Sequence, residues 1–373
     1  MSYKALVTGG AGFIGSHIVD ELVKGGHDVR VFDSLDPQVH GKGAKKPGYL
    51  NPKAEFVKGD VTDKGALAKA LEDIEVVFHE AAAVGVGQSM YQISYYVSNN
   101  NVGTSNLLEL LADGKHGVKK MLVAASMSSY GEGAYSCQGC GTVYPPLRTA
   151  EQMEKRDWEL HCPNCGKAAK PIPTPETKPQ HCNSIYALTK KDQEEMLLMI
   201  GKTYGIPAVA LRYFNVYGPR QSLSNPYTGV AAIFMSRIKN GNRPIVYEDG
   251  LQTRDFISVH DIARANVLAM EKSAADYEVF NVGSGIPHPI KSIAEMIART
   301  FGSKIAPEIT NTFRKGDVRH CYADTSKIKK KLGFTPSVSF EAGMCELIEW
   351  SRKAEAVDKF ESAQKELSAR GLV

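Results

Sequence analysis

The sequence has no marked excess of charge of one sign: 45 Lys and Arg stand against 41 Asp and Glu, a formal net charge of +4 over 373 residues. With no concentrated basic run, the chain lacks the stripe that tracks a phosphate backbone, which argues against a nucleic-acid partner. Short runs such as Lys45-Lys46 and Lys329-Lys330-Lys331 read as solvated faces. No uninterrupted apolar stretch approaches the ~18 residues of a membrane-spanning helix, so a membrane partner is not expected either. Nor is the chain short of apolar residues: 43% hydrophobic against 23% charged excludes a mainly disordered protein. A glycine fingerprint begins at Gly9 and leaves no room ahead of it for a signal peptide, which predicts a cytoplasmic protein. In that compartment the seven cysteines are read as thiols or metal ligands before disulfides.

What is present is an alternation of short apolar runs with helical patterns. Residues 3–7 read as a buried strand, followed by Thr8-Gly9-Gly10-Ala11-Gly12-Phe13-Ile14-Gly15 and a helix carrying Ile18, Val19, Leu22 and Val23. In Gly-x-x-Gly-x-x-Gly, Gly9 permits a tight turn, Gly12 lets a pyrophosphate approach the backbone, and Gly15 lets helix and strand pack closely. Phe13 and Ile14 lie where the helix N-terminus faces the anion. A second strand, 28–32, ends at Asp33, where a carboxylate can hold the adenosine ribose hydroxyls. No arginine follows at Ser34, Leu35 or Asp36 to hold a 2′-phosphate, so the cofactor predicted is NAD rather than NADP.

Further strands are expected at 55–58, 75–79, 120–125 and 208–212. After them, Asp60 and Val61 are placed to read an adenine edge, and the small residues Ala81 and Ala82 let a cofactor lie against the backbone. Asn100 opens the next helical stretch and is grouped with the cofactor-binding residues. Strands and helices in this rhythm predict an α/β protein with a doubly wound parallel sheet, whose ligands sit at the carboxyl ends of the strands.

Ser126 falls at such an end. Further on, Tyr186-Ala187-Leu188-Thr189-Lys190 puts a phenol and an ammonium one helical turn apart on one face. A fixed cation favours the phenolate and draws the phenol toward the range of a useful base, and Ser126 is placed to hydrogen-bond the same substrate oxygen. The candidate catalytic set is therefore Ser126, Tyr186 and Lys190.

Together with Arg212-Tyr213-Phe214-Asn215-Val216-Tyr217-Gly218-Pro219, these motifs resemble the extended short-chain dehydrogenase/reductase superfamily. More narrowly they are similar to its nucleotide-sugar epimerase/dehydratase group. The resemblance covers most of residues 1–350 apart from one insertion. It implies a Rossmann sheet and a nucleotide-diphosphate sugar as the partner molecule. Ser128 would meet the substrate, Asn215 the substrate phosphates or the cofactor, Arg254 and Arg314 the diphosphate, and Asp317 the nucleoside ribose. Lys190 would also anchor the nicotinamide ribose, and the run 281–285 would follow a strand of the substrate domain. A homodimer through the Asn100 and Tyr186 helices is implied as well. The 4,6-dehydratases of this group carry an acidic pair directly after the catalytic hydroxyl residue; here Met127 and Ser128 have no ionisable proton to offer. The decarboxylating relatives tend to place a glutamate nearby, and none stands between Ser126 and Gly131. What remains is reversible oxidation at C4, the chemistry of a 4-epimerase.

The insertion lies between Tyr130-Gly131 and the Tyr186 helix. It carries Cys137-Gln138-Gly139-Cys140-Gly141 and Cys162-Pro163-Asn164-Cys165-Gly166. Two Cys-x-x-Cys knuckles about 20 residues apart have the spacing of a zinc ribbon, and four thiolates leave the metal no open position, so the zinc expected is structural. The segment is expected over the sugar pocket or against substrate or a partner subunit. The divisions drawn are residues 1–131 with 182–215 for the NAD-binding domain, 132–181 for the zinc-ribbon-like insertion, 216–350 for a smaller α/β substrate domain with chain crossings, and 351–373 for a helical tail.

Overall fold

The computed structural model describes residues 2–227 and 229–372. Its centre is a seven-stranded sheet in the order Glu278–Val282, Ala208–Tyr213, Lys120–Ser126, Val76–His79, Lys4–Thr8, Asp28–Asp33, Glu55–Lys58. Every pairing in it is parallel. Both faces are covered, which is why its strands read as continuous apolar runs rather than alternating ones. Ala5 and Val7 face one core with Ile18, Leu22, Ile262 and Ala265, from helices Phe13–Lys24 and Val259–Glu271. Leu6 points the other way, toward Leu107, Leu111 and Leu197 from helices Gly103–Ala112 and Ile185–Tyr204. Each such fully buried aliphatic side chain stabilises the fold by roughly 1.5–3 kcal/mol. These four helices are therefore fixed to the sheet by packing.

One expectation is corrected. The strand before Asn281-Val282-Gly283-Ser284-Gly285 is not part of the smaller domain: Glu278–Val282 forms the edge of the main sheet, in register with Ala208–Tyr213. Phe280 and Val282 are fully buried there, so a short apolar run that could have joined either sheet is taken by the larger core. The Asn100 helix also begins earlier than expected, at Ile93, and passes through a wide π-helical stretch, Val97–Val102, before Gly103–Ala112.

The smaller part is built on strands Asn215–Tyr217, Thr253–Ser258, Pro287–Pro289 and His320–Cys321, with helices Val230–Lys239, Ile290–Phe301 and Phe340–Lys353 packed around Met235, Ile293, Ile297, Met344 and Leu347. The insertion forms a three-stranded antiparallel sheet of Gly141–Val143, Ala134–Cys137 and Lys170–Ile172, with a small core of Tyr135, Val143, Leu160 and Ala169. The tail ends in a helix, Phe360–Ser368, anchored by the Arg237 guanidinium 4.6 Å over the Phe360 ring and by Glu366, which accepts from both Tyr91 and Tyr227 hydroxyls at 3.0 Å. Among the described residues no helix is long and apolar enough to cross a membrane.

Candidate active site

The glycine loop closes against the ends of two strands. Gly9 sits at φ +68°, and a Cβ there would lie 2.8 Å from the Ala81 nitrogen; a Cβ on Gly15 would lie 2.4 Å from the Gly9 carbonyl. Gly12 precedes helix Phe13–Lys24, which Phe13 and Ile14 open, Ile14 resting on the core. Asp33, buried at the end of its strand, accepts from the Ala11 N–H at 3.0 Å and the Leu35 N–H at 2.8 Å, so it ties the loop to the strand end. Asp60 accepts from the Thr62 N–H and hydroxyl at 2.8 and 2.7 Å, with Val61 buried beside it against Gly103.

The loop after His79 is held from beneath. His79 is fully buried between the hydroxyls of Thr8 (2.9 Å) and Thr104 (2.8 Å), and burial, helped by the Lys190 charge, pushes its pKa down to about 3. Asn100 lies fully buried: its Oδ1 accepts from the Ala83 N–H at 2.7 Å, and its amide donates to the Ala83 carbonyl (3.1 Å) and the Thr189 hydroxyl (2.9 Å). Asn100 thus couples the Ala81-Ala82-Ala83 loop to the helix that carries Tyr186.

That helix is set in place at its first turn. Ser184 caps it, and the Tyr186 N–H donates to the Ser89 hydroxyl at 3.0 Å. The Ser126 oxygen accepts from the Ser128 N–H at 3.2 Å and the Ser128 hydroxyl at 2.9 Å, so its own hydrogen is directed onward. The Ser126 side chain lowers the Tyr186 phenol pKa, but burial acts more strongly and pushes it up to about 12. Lys190 is buried, with its ammonium 2.8 Å from the Ala124 carbonyl.

A group that the sequence did not single out lies within electrostatic reach of Lys190. Glu80 follows the strand Val76–His79 and accepts from the Tyr213 hydroxyl at 3.0 Å. Burial raises the Glu80 pKa and lowers that of Lys190, and each opposes the other's shift. The sequence shows only an acid directly after an apolar strand and before three alanines, which does not set it apart from a turn acid.

At the other end, the Asn215 Oδ1 is buried with no hydrogen-bond partner among the described residues. The Arg254 guanidinium is held on the backbone carbonyls of Val318 (2.6 Å), Thr253 (2.8 Å) and Arg319 (3.1 Å). The Arg314 Nε donates to Asp317 at 2.9 Å, with its guanidinium 4.8 Å over the Tyr247 ring. The Asn183 amide donates to the Gly316 carbonyl at 2.6 Å, which ties the Arg314–Asp317 loop to a point three residues before Tyr186. In the insertion the sulfurs of Cys137, Cys140, Cys162 and Cys165 all lie within 4.8 Å of one another, Cys137 and Cys165 at 3.5 Å. His161, beside Cys162, pairs with Asp157 at 2.7 Å.

Residues 5–152 match the NAD dependent epimerase/dehydratase family, and residues 166–347 match the GDP-mannose 4,6 dehydratase family. The stretch between the two matches falls inside the insertion. The chain is 39% identical to a dTDP-L-rhamnose 4-epimerase from Burkholderia thailandensis, over 93% of this chain and 94% of that one. It superposes on a UDP-glucose 4-epimerase of Thermotoga maritima with UDP-glucose at a TM-score of 0.76, with 34% identity and coverage of 94% and 99%. For the Thermus thermophilus UDP-glucose 4-epimerase in complex with NAD the TM-score is 0.74, with 30% identity and coverage of 94% and 100%. With the glycine loop, Asp33 and the Ser126, Tyr186 and Lys190 set on the same sheet ends, the chain belongs to the NAD-dependent epimerase/dehydratase family.

Proposed function

We propose that the chain is an NAD-dependent nucleotide-sugar 4-epimerase that works through a transient 4-keto sugar, and that dTDP-L-rhamnose is its substrate. The observation that carries the reaction class is the convergence of Ser126, Tyr186 and Lys190: a hydroxyl at a strand end that lowers the phenol pKa, with a buried ammonium one helical turn on. Similarity to the Burkholderia thailandensis enzyme supports the choice of sugar.

The glycine loop fits NAD: a side chain on Gly9 or Gly15 would collide with the Ala81 or Gly9 backbone and spread the tight turn, and a carboxylate, not a cation, stands at Asp33. Gly9, Gly12, Phe13, Ile14 and Gly15 would face the pyrophosphate, Asp33 the adenosine ribose, Asp60 and Val61 the adenine, and Ala81 and Ala82 the ring system, with Asn100 fixing that last loop. When bound there, NAD would supply a reversible hydride acceptor for C4 and a positive charge in the cleft. Tyr186 takes the 4-hydroxyl proton and later gives it back. Held protonated by burial, it needs a cation alongside to act as a base, and Lys190 is the one the chain supplies. Ser126 steadies the oxygen that loses the proton. Similarity of residues 166–347 to a dehydratase model does not bring dehydration with it, since neither Met127 nor Ser128 can move a proton at C5 or C6.

The unpartnered Asn215 Oδ1 supports a substrate contact there, with Ser128 nearer the sugar and with Arg254, Arg314 and Asp317 at the nucleotide. The four cysteines fit a structural zinc: bonds of about 2.3 Å in a tetrahedron set sulfurs about 3.8 Å apart, and these sulfurs cluster within 4.8 Å. A homodimer through the Asn100 and Tyr186 helices is supported by exposed Val97, Val102, Leu188 and Met199 along them.

The test is NMR of dTDP-L-rhamnose, UDP-glucose and UDP-glucuronate incubated with the purified protein and no added NAD. Inversion at C4 of dTDP-L-rhamnose is the expected result. Inversion of a UDP sugar alone would keep the reaction and replace the substrate. A keto sugar or NADH formed only when NAD is added would replace the epimerase with a net oxidoreductase.

A further inference from the structure

The reaction outlined above takes nothing from the insertion, yet the insertion reaches the nucleotide end of the site through a buried arginine. Arg148 donates through Nη1 and Nη2 to the two oxygens of Glu248, both at 2.8 Å, and both side chains are buried. The same guanidinium donates to the Trp158 carbonyl and to the Asp317 carbonyl, each at 3.1 Å. Glu248 in turn grips the start of the loop that ends at Asp317: its N–H donates to the Thr312 carbonyl at 2.7 Å, and its carbonyl accepts from the Asn311 N–H at 3.1 Å. It does so with φ at +54°, a left-handed conformation that costs a non-glycine residue energy and persists because these contacts impose it. Between the two anchors, the Trp158 ring meets Phe313 edge to face at 6.5 Å.

We propose that Arg148 is a positioning residue for the nucleotide end of the site, and that the insertion sets the Arg314–Asp317 loop for a nucleoside diphosphate. The inference rests on reading Arg314 and Asp317 as the diphosphate and ribose contacts. A guanidinium is required because one planar group must satisfy a carboxylate bidentately and two carbonyls besides; a lysine ammonium is a point charge with three donors and does not reproduce the fork. Asp317 offers its side chain to Arg314 and its carbonyl to Arg148, so releasing the carbonyl loosens the carboxylate that faces the ribose. The effect falls on binding, which ground state and transition state share, and not on proton or hydride transfer at C4. A loss of that kind raises KM and leaves kcat in place.

The experiment measures UDP and dTDP binding to the NAD-loaded protein by titration calorimetry, together with kcat and KM for the sugar nucleotide. Arg148→Lys is expected to weaken nucleotide binding and raise KM by about tenfold, the loss of a hydrogen bond to a loop that must be preorganised, with kcat within about twofold. Trp158→Leu, which leaves every buried charge in place, is expected to raise KM in the same direction and decides the matter should Arg148→Lys fail to fold. Arg314→Ala is the control. If it weakens nucleotide binding while Arg148→Lys and Trp158→Leu do not, or if those two lower kcat at unchanged KM, the positioning role is overturned and the function stands. If Arg314→Ala binds nucleotide as tightly as the parent, the reading of the loop fails, and this inference fails with it.

Discussion

The Tyr213 hydroxyl donates to Glu80 at 3.0 Å, and Asn266 donates to that hydroxyl at 2.7 Å, so the Glu80 side chain is fixed within electrostatic reach of Lys190. The charged and titratable groups around it are Lys190 and Tyr213, with His79, its neighbour in sequence, held neutral. Burial lowers the Lys190 pKa and Glu80 raises it. Replacing Glu80 by Gln removes the raising contribution, so the ammonium is lost at a lower pH. The high-pH limb of the kcat profile is expected to move to lower pH in Glu80→Gln. An unchanged limb across pH 6 to about 9.5 would show that Glu80 does not act through Lys190.

Tyr186→Phe removes the phenol oxygen that exchanges the proton while keeping the ring against Tyr96, 6.4 Å away edge to face. Turnover is expected to fall by about 10²–10⁴-fold, the usual contribution of a positioned acid or base. Nucleotide-sugar affinity measured by calorimetry should stay near the parent value. A near-normal rate would remove Tyr186 from the mechanism.

Metal analysis of the purified protein is expected to find about one zinc per chain, and none after Cys137, Cys140, Cys162 and Cys165 are all changed to Ser. Since the insertion has a core of only a few side chains, stripping the metal should unfold it first and lower Tm. Zinc retained by the four-serine variant would place the metal elsewhere.

His79 makes stability depend on pH. In the folded chain its pKa is lowered from 6.5 to about 3, so the unfolded chain takes up a proton that the folded one refuses. Its contribution is fully present above pH 6.5 and is lost progressively as the pH falls toward 3. His79→Gln lacks this linkage. The Tm gap between parent and variant is expected to narrow as the pH is lowered from 7.5 to 4.5, and a constant gap would mean that the folded chain accepts the proton.

Much of the sheet was legible because a parallel sheet covered on both faces writes its strands as apolar runs. Glu55–Lys58 has the bounds read from the sequence, and Lys120–Ser126 differs by one residue. Glu80 was not legible: an acid after a strand looks like any turn acid until Tyr213, 133 residues away, is folded against it. Arg254 reads as a ligand clamp, but that its guanidinium is braced on the carbonyls of residues 253, 318 and 319 was not legible. An arginine's spacing says nothing about which acceptors its long side chain will meet.

The amino-acid order alone determined which chemistry is present: a glycine loop that only residues without a side chain can form, a phenol and an ammonium one turn apart, and two thiol pairs at zinc spacing. Each is a local property, set by backbone sterics or helical periodicity over a few residues. Tertiary structure decided what surrounds those groups. Desolvation holds the Tyr186 phenol protonated against the pull of Ser126, Glu278–Val282 goes to the larger sheet because its side chains fill that core, and Arg148 meets Glu248 and Asp317 across 100 and 169 residues of chain. Burial and long-range charge pairing depend on the whole packed chain.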